Sequence, residues 1–372
     1  MKISTITLIL AACCLSSCTS ASDTPSDKAI SLFMAGDASY ACYRIPAIVK
    51  SGKNTLLAFA EARKLSCSDT GDIDLVLRRS PNGGKSWEPM QVVWDAGDDV
   101  AGNPAPVVDL ETGTIFLLST WNMGVDHESR IIQQTSQDTR RIFVMKSDDH
   151  GKSWSGPREI TGDVKQADWT WYATGPVHGI QLIREPYRGR LVVPCDHIEA
   201  GTQHYFSHVI YSDDHGATWK LGGTTPQHQV NECTVAELAD GTLMLNMRNY
   251  DRNMKNRKVS FSRDGGMTWS DIRDDPGLPE PICQASLLAV ESERNKLTLF
   301  FLNPADSSQR TRMTLKRSDD NGESWTIDRV LHDGPAAYSD LVQITRNTLG
   351  CMYEGGEKSA YEGIWFIKTD LR

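Results

Sequence analysis

Six polar segments of the chain carry residue types that could perform nucleophilic and acid–base chemistry on an anionic ligand. In chain order they are Tyr43-Arg44-Ile45-Pro46, Glu61-Ala62-Arg63, Asn231-Glu232-Cys233, Asn246-Met247-Arg248-Asn249, Asn303-Pro304-Ala305 and Tyr338-Ser339-Asp340-Leu341. Arginine binds carboxylates in bidentate fashion and stays charged. A tyrosine phenol, with an ordinary pKa near 10, attacks only when a base within hydrogen-bond reach takes its proton. A carboxylate can be that base, or can protonate a leaving group.

A recurring eight-residue pattern indicates the elements that must position these segments. The pattern Ser-x-Asp-x-Gly-x-(Ser/Thr)-Trp, called here the Asp box, occurs at Ser147–Trp154, Ser212–Trp219, Ser262–Trp269 and Ser318–Trp325. A fifth copy, Ser80–Trp87, carries Asn82 in place of the aspartate. Successive boxes start 67, 65, 50 and 56 residues apart, the size of a four-stranded propeller blade with its loops.

The Asp box is predicted to be a hairpin turn rather than a metal or ligand site. Its Asp oxygen can accept nearby backbone N–H groups, and its Gly can take a positive φ. The tryptophan is expected to plug its own blade. Strand-like runs precede the boxes at Ile73–Leu77, Ile142–Met145, His208–Tyr211, Val259–Phe261 and Met313–Leu315.

The fold class predicted from these repeats is all-β, a six-bladed β-propeller in a single domain over residues 29–372. That length accommodates about six blades, and no long amphipathic helical pattern interrupts it. Five blades would carry boxes. The sixth is predicted to close where strands near Ile45–Phe59 join strands near Leu349–Ile367.

Composition excludes several classes of protein. The 372 residues include 39 Lys and Arg against 48 Asp and Glu, a formal charge of −9, so non-specific nucleic-acid binding is not the main function. No apolar stretch reaches the roughly 20 residues that cross a bilayer. The cysteines after the leader form no Cys-x-x-Cys pair and have no histidine at metal-ligand spacing, so no metal site is expected. Their connectivity cannot be read from the sequence, and most are expected to be buried free thiols.

The first residues have the pattern of a targeting segment. Lys2 precedes an apolar run, which indicates a signal peptide over residues 1–17. Leu15-Ser16-Ser17-Cys18 resembles the lipobox of bacterial lipoproteins, and residues 18–28 suit a short polar tether. The chain is therefore expected to be exported and anchored by lipid on Cys18 in the bacterial cell envelope, whether in the periplasm, at the outer membrane or at the cell surface. An ordinary cleaved signal is the alternative.

The polar segments, in this order and among Asp boxes, resemble those of bacterial exo-sialidases (neuraminidases) along nearly all of the mature chain. Further matching segments are Asp69 after Glu61-Ala62-Arg63, Trp169–Pro176, and Arg310 after Asn303-Pro304-Ala305. The resemblance implies a propeller that cleaves terminal sialic acid from glycans, glycoproteins or glycolipids. It implies no cofactor and no catalytic metal, and a monomer is expected.

The resemblance implies an arginine triad that binds the carboxylate of the sugar. The matching positions are Arg44, Arg248 and Arg310. Arg312 lies two residues after Arg310, hence on the same strand face, and competes for the third position. Arg310 is preferred because the family places this arginine eight residues before the box serine, Ser318.

The resemblance also implies the catalytic groups. Tyr338 matches the family's nucleophile, and sialidases with a tyrosine nucleophile are a recognised exception to the two-carboxylate rule of glycosidases. A neutral phenol suits an anionic anomeric centre, which would repel a carboxylate. Glu232 matches its base, and Asp69 matches the acid that protonates the leaving oxygen and later serves as base for water. Asp72 and Asp74 are rivals for that role, but they begin the next strand and are expected to face structure or solvent.

Other positions match substrate-binding residues of the family. Glu354 resembles the carboxylate that orients the first arginine, and Arg63 resembles the arginine on the O4 side of the ring. Asn103 stands where some members have Asp. His178 stands where many have a small residue, so it either narrows the aglycone side or has no role. Three tryptophans are candidates for apolar walls of the site: Trp121, Trp169 and Trp171. For at least one of them, packing in the core is an equally open role.

The function that the resemblance implies is a retaining exo-α-sialidase with a covalent tyrosyl–sialyl intermediate. Two other functions are open. A trans-sialidase would carry the same residues, because acceptor choice depends on loop shape. A non-catalytic sialic acid lectin would keep the arginines but would have no reason to keep Asp69, Tyr338 and Glu232 together.

Overall fold

The computed structural model describes residues 28–291 and 296–371. The predicted signal peptide, Cys18 and the tether up to residue 27 lie outside the described residues. No helix within the described part is long and apolar enough to cross a membrane. The helical segments are short and lie in loops: a 3₁₀ turn at Asp37–Ser39, α1 at Glu128–Ile132 and α2 at Thr161–Val164.

Nearly all regular structure is β-strand. The first twelve strands are β1 (Ile30–Met34), β2 (Cys42–Ser51), β3 (Thr55–Arg63), β4 (Ile73–Ser80), β5 (Gln91–Trp94), β6 (Val100–Val108), β7 (Ile115–Asn122), β8 (Arg141–Ser147), β9 (Arg158–Glu159), β10 (Trp169–Thr174), β11 (Ile180–Gln181) and β12 (Leu191–Glu199). The next twelve are β13 (Tyr205–Ser212), β14 (Lys220–Thr224), β15 (Val230–Glu237), β16 (Leu243–Asn249), β17 (Asn256–Ser262), β18 (Arg273–Pro279), β19 (Ser286–Glu291), β20 (Leu297–Pro304), β21 (Thr311–Ser318), β22 (Thr326–Thr345), β23 (Thr348–Gly355) and β24 (Gly363–Asp370). The strand-like runs predicted before the boxes all lie within observed strands.

Antiparallel pairing groups the described strands into six successive sets of four, with β11 as an extra strand on β12. The sets are β2–β5, β6–β9, β10 with β12–β14, β15–β18, β19–β21 with the first part of β22, and the second part of β22 with β23, β24 and β1. Contacts between sets run from β2 to β6, β6 to β10, β12 to β15, β15 to β19, β19 to β22 and β22 back to β2, which closes a ring. The all-β propeller class is confirmed. The number of six blades stays a prediction, which this grouping supports.

The ring closes differently from the sequence-based expectation. Strands β2 and β3, which cover Ile45–Phe59, pair with each other and with β4 rather than with the C-terminal strands. Closure comes instead from β1, which pairs with β24 from Ile30 opposite Phe366 to Met34 opposite Gly363. The short strand was overlooked because five residues beside a polar tether give little periodic signal.

Each Asp box forms the predicted turn. In the Ser147–Trp154 box, the Asp149 carboxylate accepts the backbone N–H groups of Lys152 and Ser153, each at 3.0 Å, and the Ser153 hydroxyl at 2.6 Å. Asp214, Asp264 and Asp320 likewise accept the backbone N–H four residues on and the hydroxyl of that same residue. In the Ser212–Trp219 box, Gly216 has φ 76°, and a Cβ there would lie 2.2 Å from Phe116 Cζ, so only glycine fits.

The box tryptophans pack in their own blades, as expected, and also cover the boundary with the preceding set of strands. The Trp87 ring lies 5.1 Å from the Phe366 ring of β24, and the Trp219 ring lies 5.9 Å from that of Phe116 in β7. Trp269 Nε1 donates to Gly223 O of the preceding set at 2.9 Å. A flat strand pair cannot cover an indole by itself, so the ring is buried in the groove between two twisted sheets.

Candidate active site

One end of the ring contains a polar cavity of about 240 Å³. It is lined by side chains from many strands: Arg44, Ile45, Glu61, Arg63, Asp69, Val100, Asn103, Glu128, Arg140, Trp171, Ala173, Asp196, Asn231, Glu232, Arg248, Tyr250, Arg310, Tyr338 and Tyr361. Of the nine polar residues predicted to catalyse the reaction or bind the sugar, eight belong to this lining, and the ninth, Glu354, is buried directly behind it. The structure therefore brings together nine residues that span more than three hundred positions of the chain.

Irregularities in the inner strands place these side chains. The register of the β2–β3 pairing shifts between Arg44 and Ala47, where Ile45 has φ 61°. The same kind of shift occurs between Gly102 and Ala105, where Asn103 has φ 53°. Further shifts flank the segments that carry Trp171, Asn231 with Glu232, and Ala337 with Tyr338. A bulge re-aims one or two side chains out of the regular alternation, so these residues turn towards the axis of the ring.

Tyr338 and Glu232 form a hydrogen-bonded pair in the cavity. The Tyr338 hydroxyl donates to Glu232 Oε1 at 2.6 Å, and Arg248 Nη1 donates to the same hydroxyl at 3.0 Å. Arg248 Nη1 also lies 2.6 Å from Glu232 Oε2. A nucleophile in contact with a base that is itself oriented by a third group is the geometry that covalent catalysis requires.

The resting phenol is neutral. Burial raises the pKa of Tyr338 well above its ordinary value, and the Glu232 charge raises it further, while the three arginines of the triad act in the opposite direction. Tyr338 therefore cannot act as a preformed phenolate at neutral pH. It becomes a nucleophile only if its proton passes to Glu232 as the new bond forms.

Three guanidinium groups surround the Tyr338 ring. The carbon Cζ of Arg44 lies 4.9 Å from the ring centre and that of Arg310 lies 5.6 Å away, while Arg248 contacts the hydroxyl. Glu354, which is fully buried, accepts bidentate bonds from Arg44 at 3.1 and 3.2 Å and the backbone N–H of Tyr338 at 3.2 Å. This carboxylate thus fixes one arginine and the nucleophile's backbone together.

The structure separates the two candidates for the third arginine. Arg310 lies in the cavity, where its guanidinium donates to Tyr361 Oη at 3.0 Å and Ile282 O at 2.9 Å. Arg312 has a side chain 52% exposed and lies 4.0 Å from Asp333. The expectation that both share one strand face is wrong, because pairing shifts between Thr311 and Met313 and Arg312 has φ 63°.

Asp69 stands at the rim of the cavity on the loop between β3 and β4. Its side chain is 67% exposed and lies 2.7 Å from Arg63 Nη1 and 3.6 Å from Arg44 Nη1. Partial desolvation of the carboxyl by the surrounding protein raises its pKa, but the charges of Arg63 and Arg44 outweigh that effect and hold the pKa below its ordinary value. The rivals Asp72 and Asp74 are outside the lining and pair with Lys64 Nζ at 2.9 and 3.4 Å.

Two charged residues that the sequence analysis did not assign support the side of the cavity next to Asp69. Glu61 Oε2 lies 2.5 Å from Arg63 Nη2, and Glu61 Oε1 accepts the backbone N–H of Asn103 at 2.7 Å. Arg140 donates to the side-chain oxygen of Asn103 and lies over Trp171, with Cζ 3.9 Å from the ring centre. Glu61 stands in the segment Glu61-Ala62-Arg63. Arg140 has no sequence signal, because its partners Asn103 and Trp171 lie far from it in the sequence.

A further missed residue, Asp196, lies in the wall between Arg140 and Glu232. It is fully buried, and neither carboxyl oxygen has a hydrogen-bond partner among the described residues. Burial raises the pKa of Asp196 well above its ordinary value, and the charges of Glu232 and Glu128 raise it further. These effects favour the neutral, protonated form of Asp196. Its sequence signal was a charged residue directly after the apolar run Leu191–Cys195.

Of the aromatic wall candidates, only Trp171 lines the cavity. The Trp169 ring stacks on the His197 ring at 3.4 Å, inside a hydrophobic cluster. His178 is outside the lining as well, because its Nδ1 lies 2.6 Å from Asp340 and its side chain lines cavities elsewhere. His178 therefore does not narrow this site.

Comparison with known proteins shows which family the chain resembles. Residues 54–351 match the family described as BNR repeat-like domain. The chain is 34% identical to a sialidase of Bacteroides fragilis over 86% of this chain and 61% of the relative. It is 32% identical to Sialidase-2 of Cricetulus griseus over 92% of this chain and 94% of the relative. The solved structure of the Hadza microbial sialidase Hz136 superimposes with a TM-score of 0.83 at 32% identity, covering 92% of this chain and 68% of that one. The chain thus spans less than two thirds of the bacterial relative from Bacteroides fragilis.

Proposed function

Because the chain belongs to the sialidase family, we propose that it is a retaining exo-α-sialidase that hydrolyses terminal sialic acid from glycans, glycoproteins or glycolipids. The observation that carries the proposal is the Tyr338–Glu232 hydrogen bond of 2.6 Å at the centre of three arginines. A lectin would need the arginines alone. It would have no use for a phenol that is held against a carboxylate base.

Binding begins with the carboxylate of the sugar. Arg44, Arg248 and Arg310 offer donors that converge above the Tyr338 ring. Guanidinium groups keep their charge in a partly desolvated cavity, and their paired N–H donors match a carboxylate. Occupation of Arg44 by this carboxylate reduces the attraction between Arg44 and Asp69, which are 3.6 Å apart. The pKa of Asp69 rises on binding for that reason, which favours the protonated form that acid catalysis needs.

In the first step the Tyr338 oxygen attacks the anomeric carbon while its proton passes to Glu232. The bond to the leaving oxygen breaks, and Asp69 delivers the proton that this oxygen requires. Arg248 contacts both Tyr338 and Glu232, so it stabilises the charge that shifts between them. The products of this step are a tyrosyl–sialyl intermediate and the free aglycone.

In the second step water replaces the aglycone. Asp69, now a carboxylate, takes a proton from the water, whose oxygen attacks the anomeric carbon, and the bond to Tyr338 breaks. Glu232 returns its proton to the phenolate oxygen, which restores the resting pair. Two inversions give net retention of the anomeric configuration.

Proton NMR of the reaction with a simple α-sialoside tests the proposed function. We expect α-sialic acid as the first product, followed by slow conversion to the β-anomer. A first product of β configuration would contradict the retaining mechanism. Transfer to an added acceptor sugar, or an anhydro product, would instead assign a trans-sialidase, and no reaction in the presence of binding would assign a lectin.

The two neighbouring arginines give a direct test of the carboxylate clamp. We expect Arg310→Ala to weaken inhibition by a dehydrated sialic acid analogue strongly, since each charged hydrogen bond contributes roughly 1.5–3 kcal/mol. Arg312→Ala, the matched control, removes an exposed side chain and should cost well under about 1 kcal/mol. Inhibition constants of both variants decide the assignment, and the opposite ranking would transfer the role to Arg312.

We further propose that the protein is an envelope lipoprotein and acts as a monomer, with residues 29–372 as its catalytic domain. Wild type expressed in its native host is expected to enter the detergent phase on partitioning, whereas Cys18→Ala is expected to stay in the aqueous phase. Stable attachment then depends on several acyl chains, since one chain binds membranes only marginally. A soluble wild type that begins at another residue would contradict the anchor without affecting the proposed activity.

A further inference from the structure

One disulfide joins two of the catalytic segments. Cys42 and Cys67 are bonded, with their Cα atoms 5.2 Å apart and a sequence separation of 25. Cys42 begins β2, two residues before Arg44, and Cys67 lies two residues before Asp69. The other four cysteines in the described residues are buried free thiols, so the expectation that most cysteines are free is confirmed with this exception.

The segment that carries Asp69, residues 64–72 and here called the acid loop, has few other constraints. Two backbone hydrogen bonds fix its ends. Lys64 N donates to Asp72 O at 3.1 Å, and Gly71 N donates to Gly124 O at 2.9 Å. Among the described residues, no backbone-to-backbone hydrogen bond involves residues 65–70. The loop is also exposed, with Leu65 at 78%. Its middle is held only by side chains and by the disulfide.

Most of the side-chain restraint depends on the charge of Asp69. The carboxylate is held by Arg63 at 2.7 Å and by Arg44 at 3.6 Å. The charge–charge part of both attractions is lost when Asp69 is protonated, and the substrate carboxylate competes for Arg44. Acid catalysis requires that neutral, substrate-bound state. Among the described residues, one hydrogen bond and one covalent bond tie the middle of the acid loop to residues outside it without depending on the charge of Asp69. They are the hydrogen bond from Arg63 Nη1 to Cys67 O at 2.6 Å and the disulfide on the same residue.

We propose that the Cys42–Cys67 disulfide is a positioning element for catalysis, which keeps Asp69 at the leaving oxygen while its carboxyl group is neutral. The inference rests on the proposed function. Opening the disulfide would leave the backbone pairing of the strands that carry Arg44, Arg248, Glu232 and Tyr338 in place and would loosen the acid loop. Protonation of the leaving group would then suffer, because misplacement of a catalytic group by about 1 Å can cost up to a hundredfold in rate.

The test compares two leaving groups with the disulfide closed and open. Dithiothreitol opens the disulfide to two thiols as it is oxidised to its own cyclic disulfide, and Cys42→Ala/Cys67→Ala removes it without a reductant. We expect kcat/KM for sialyllactose to fall about tenfold. For an aryl sialoside, whose leaving group hardly needs a proton, it should fall less than twofold. Inhibition by a dehydrated sialic acid analogue should be unchanged.

Two controls separate positioning from general stability. Dithiothreitol should have no effect on the double variant, because the other described thiols are already free and buried. In an Asp69→Ala background, opening the disulfide should no longer change the ratio of the two substrates. Equal losses on both substrates, an unchanged ratio in wild type, or a ratio that still changes without Asp69 would each overturn the inference. If the wild type hydrolyses neither substrate, both the proposed function and the inference about the disulfide are overturned.

Discussion

Replacing Tyr338 with phenylalanine is expected to lower kcat by several orders of magnitude while a sialic acid analogue still binds. The change removes one oxygen, which is the atom that attacks and which donates to Glu232 at 2.6 Å. The ring remains beneath Arg44 and Arg310, and Glu354 still holds the backbone at 3.2 Å. Without the oxygen, no tyrosyl–sialyl intermediate forms.

Steady-state kinetics and the inhibition constant of a dehydrated analogue measure the two effects separately. Tyr187→Phe is the matched control, because this tyrosine lies outside the cavity and contacts Arg190 through its ring, with Arg190 Cζ 4.8 Å from the ring centre. We expect that control to retain wild-type turnover. A Tyr338→Phe enzyme with near-wild-type turnover would remove Tyr338 from the mechanism. Loss of analogue binding would show instead that the phenol oxygen serves to orient the arginines.

Asp69→Ala is expected to abolish most activity on sialyllactose and to spare an aryl sialoside to a large extent. A sugar alcohol departs only with a proton, whereas a phenol of pKa near 7–8 departs largely without one, and general acid catalysis contributes about 10²–10⁴ in rate. The activity of the wild type on sialyllactose should also decline on the alkaline side, since the pKa of Asp69 is held low and its protonated fraction falls as pH rises. This decline should be absent in Asp69→Ala.

Asp72→Ala is the matched control for this substitution. Asp72 belongs to the same loop but pairs with Lys64 at 2.9 Å outside the cavity. Small losses of equal size on both substrates are expected for it. If Asp69→Ala lost activity equally on the two substrates, its defect would lie in binding or folding, and another group would have to protonate the leaving oxygen.

The repeated part of the fold could be predicted from the sequence because its chemistry is local. In the Asp box, the carboxylate of Asp149 meets backbone N–H groups only three and four residues away. The same short-range geometry recurs wherever the pattern does, so each box marks a turn. The strand β1 lacked such a marker. Its partner, β24, lies at the other end of the chain, and no local pattern encodes a pairing over that distance.

The identity of the site residues was also accessible from the sequence, because Arg44, Glu232 and Tyr338 stand in motifs whose order resembles one family. Their geometry was not accessible. Each lies at or within a bulged segment of an inner strand, and regular alternation gives no way to infer which side chain a bulge re-aims. Arg310 and Arg312 illustrate this, since alternation places them on one face and the irregular pairing of β21 separates them.

The sequence by itself therefore determined the repeated turns, the all-β class and the types of residue available for chemistry. The tertiary structure decided which of these residues meet. It places Glu61, Arg140 and Asp196 in the lining of the cavity, and it brings Cys67 within bonding distance of Cys42. The physical reason is that turns depend on hydrogen bonds over three or four residues, whereas the site depends on contacts between blades that become neighbours only when the ring closes.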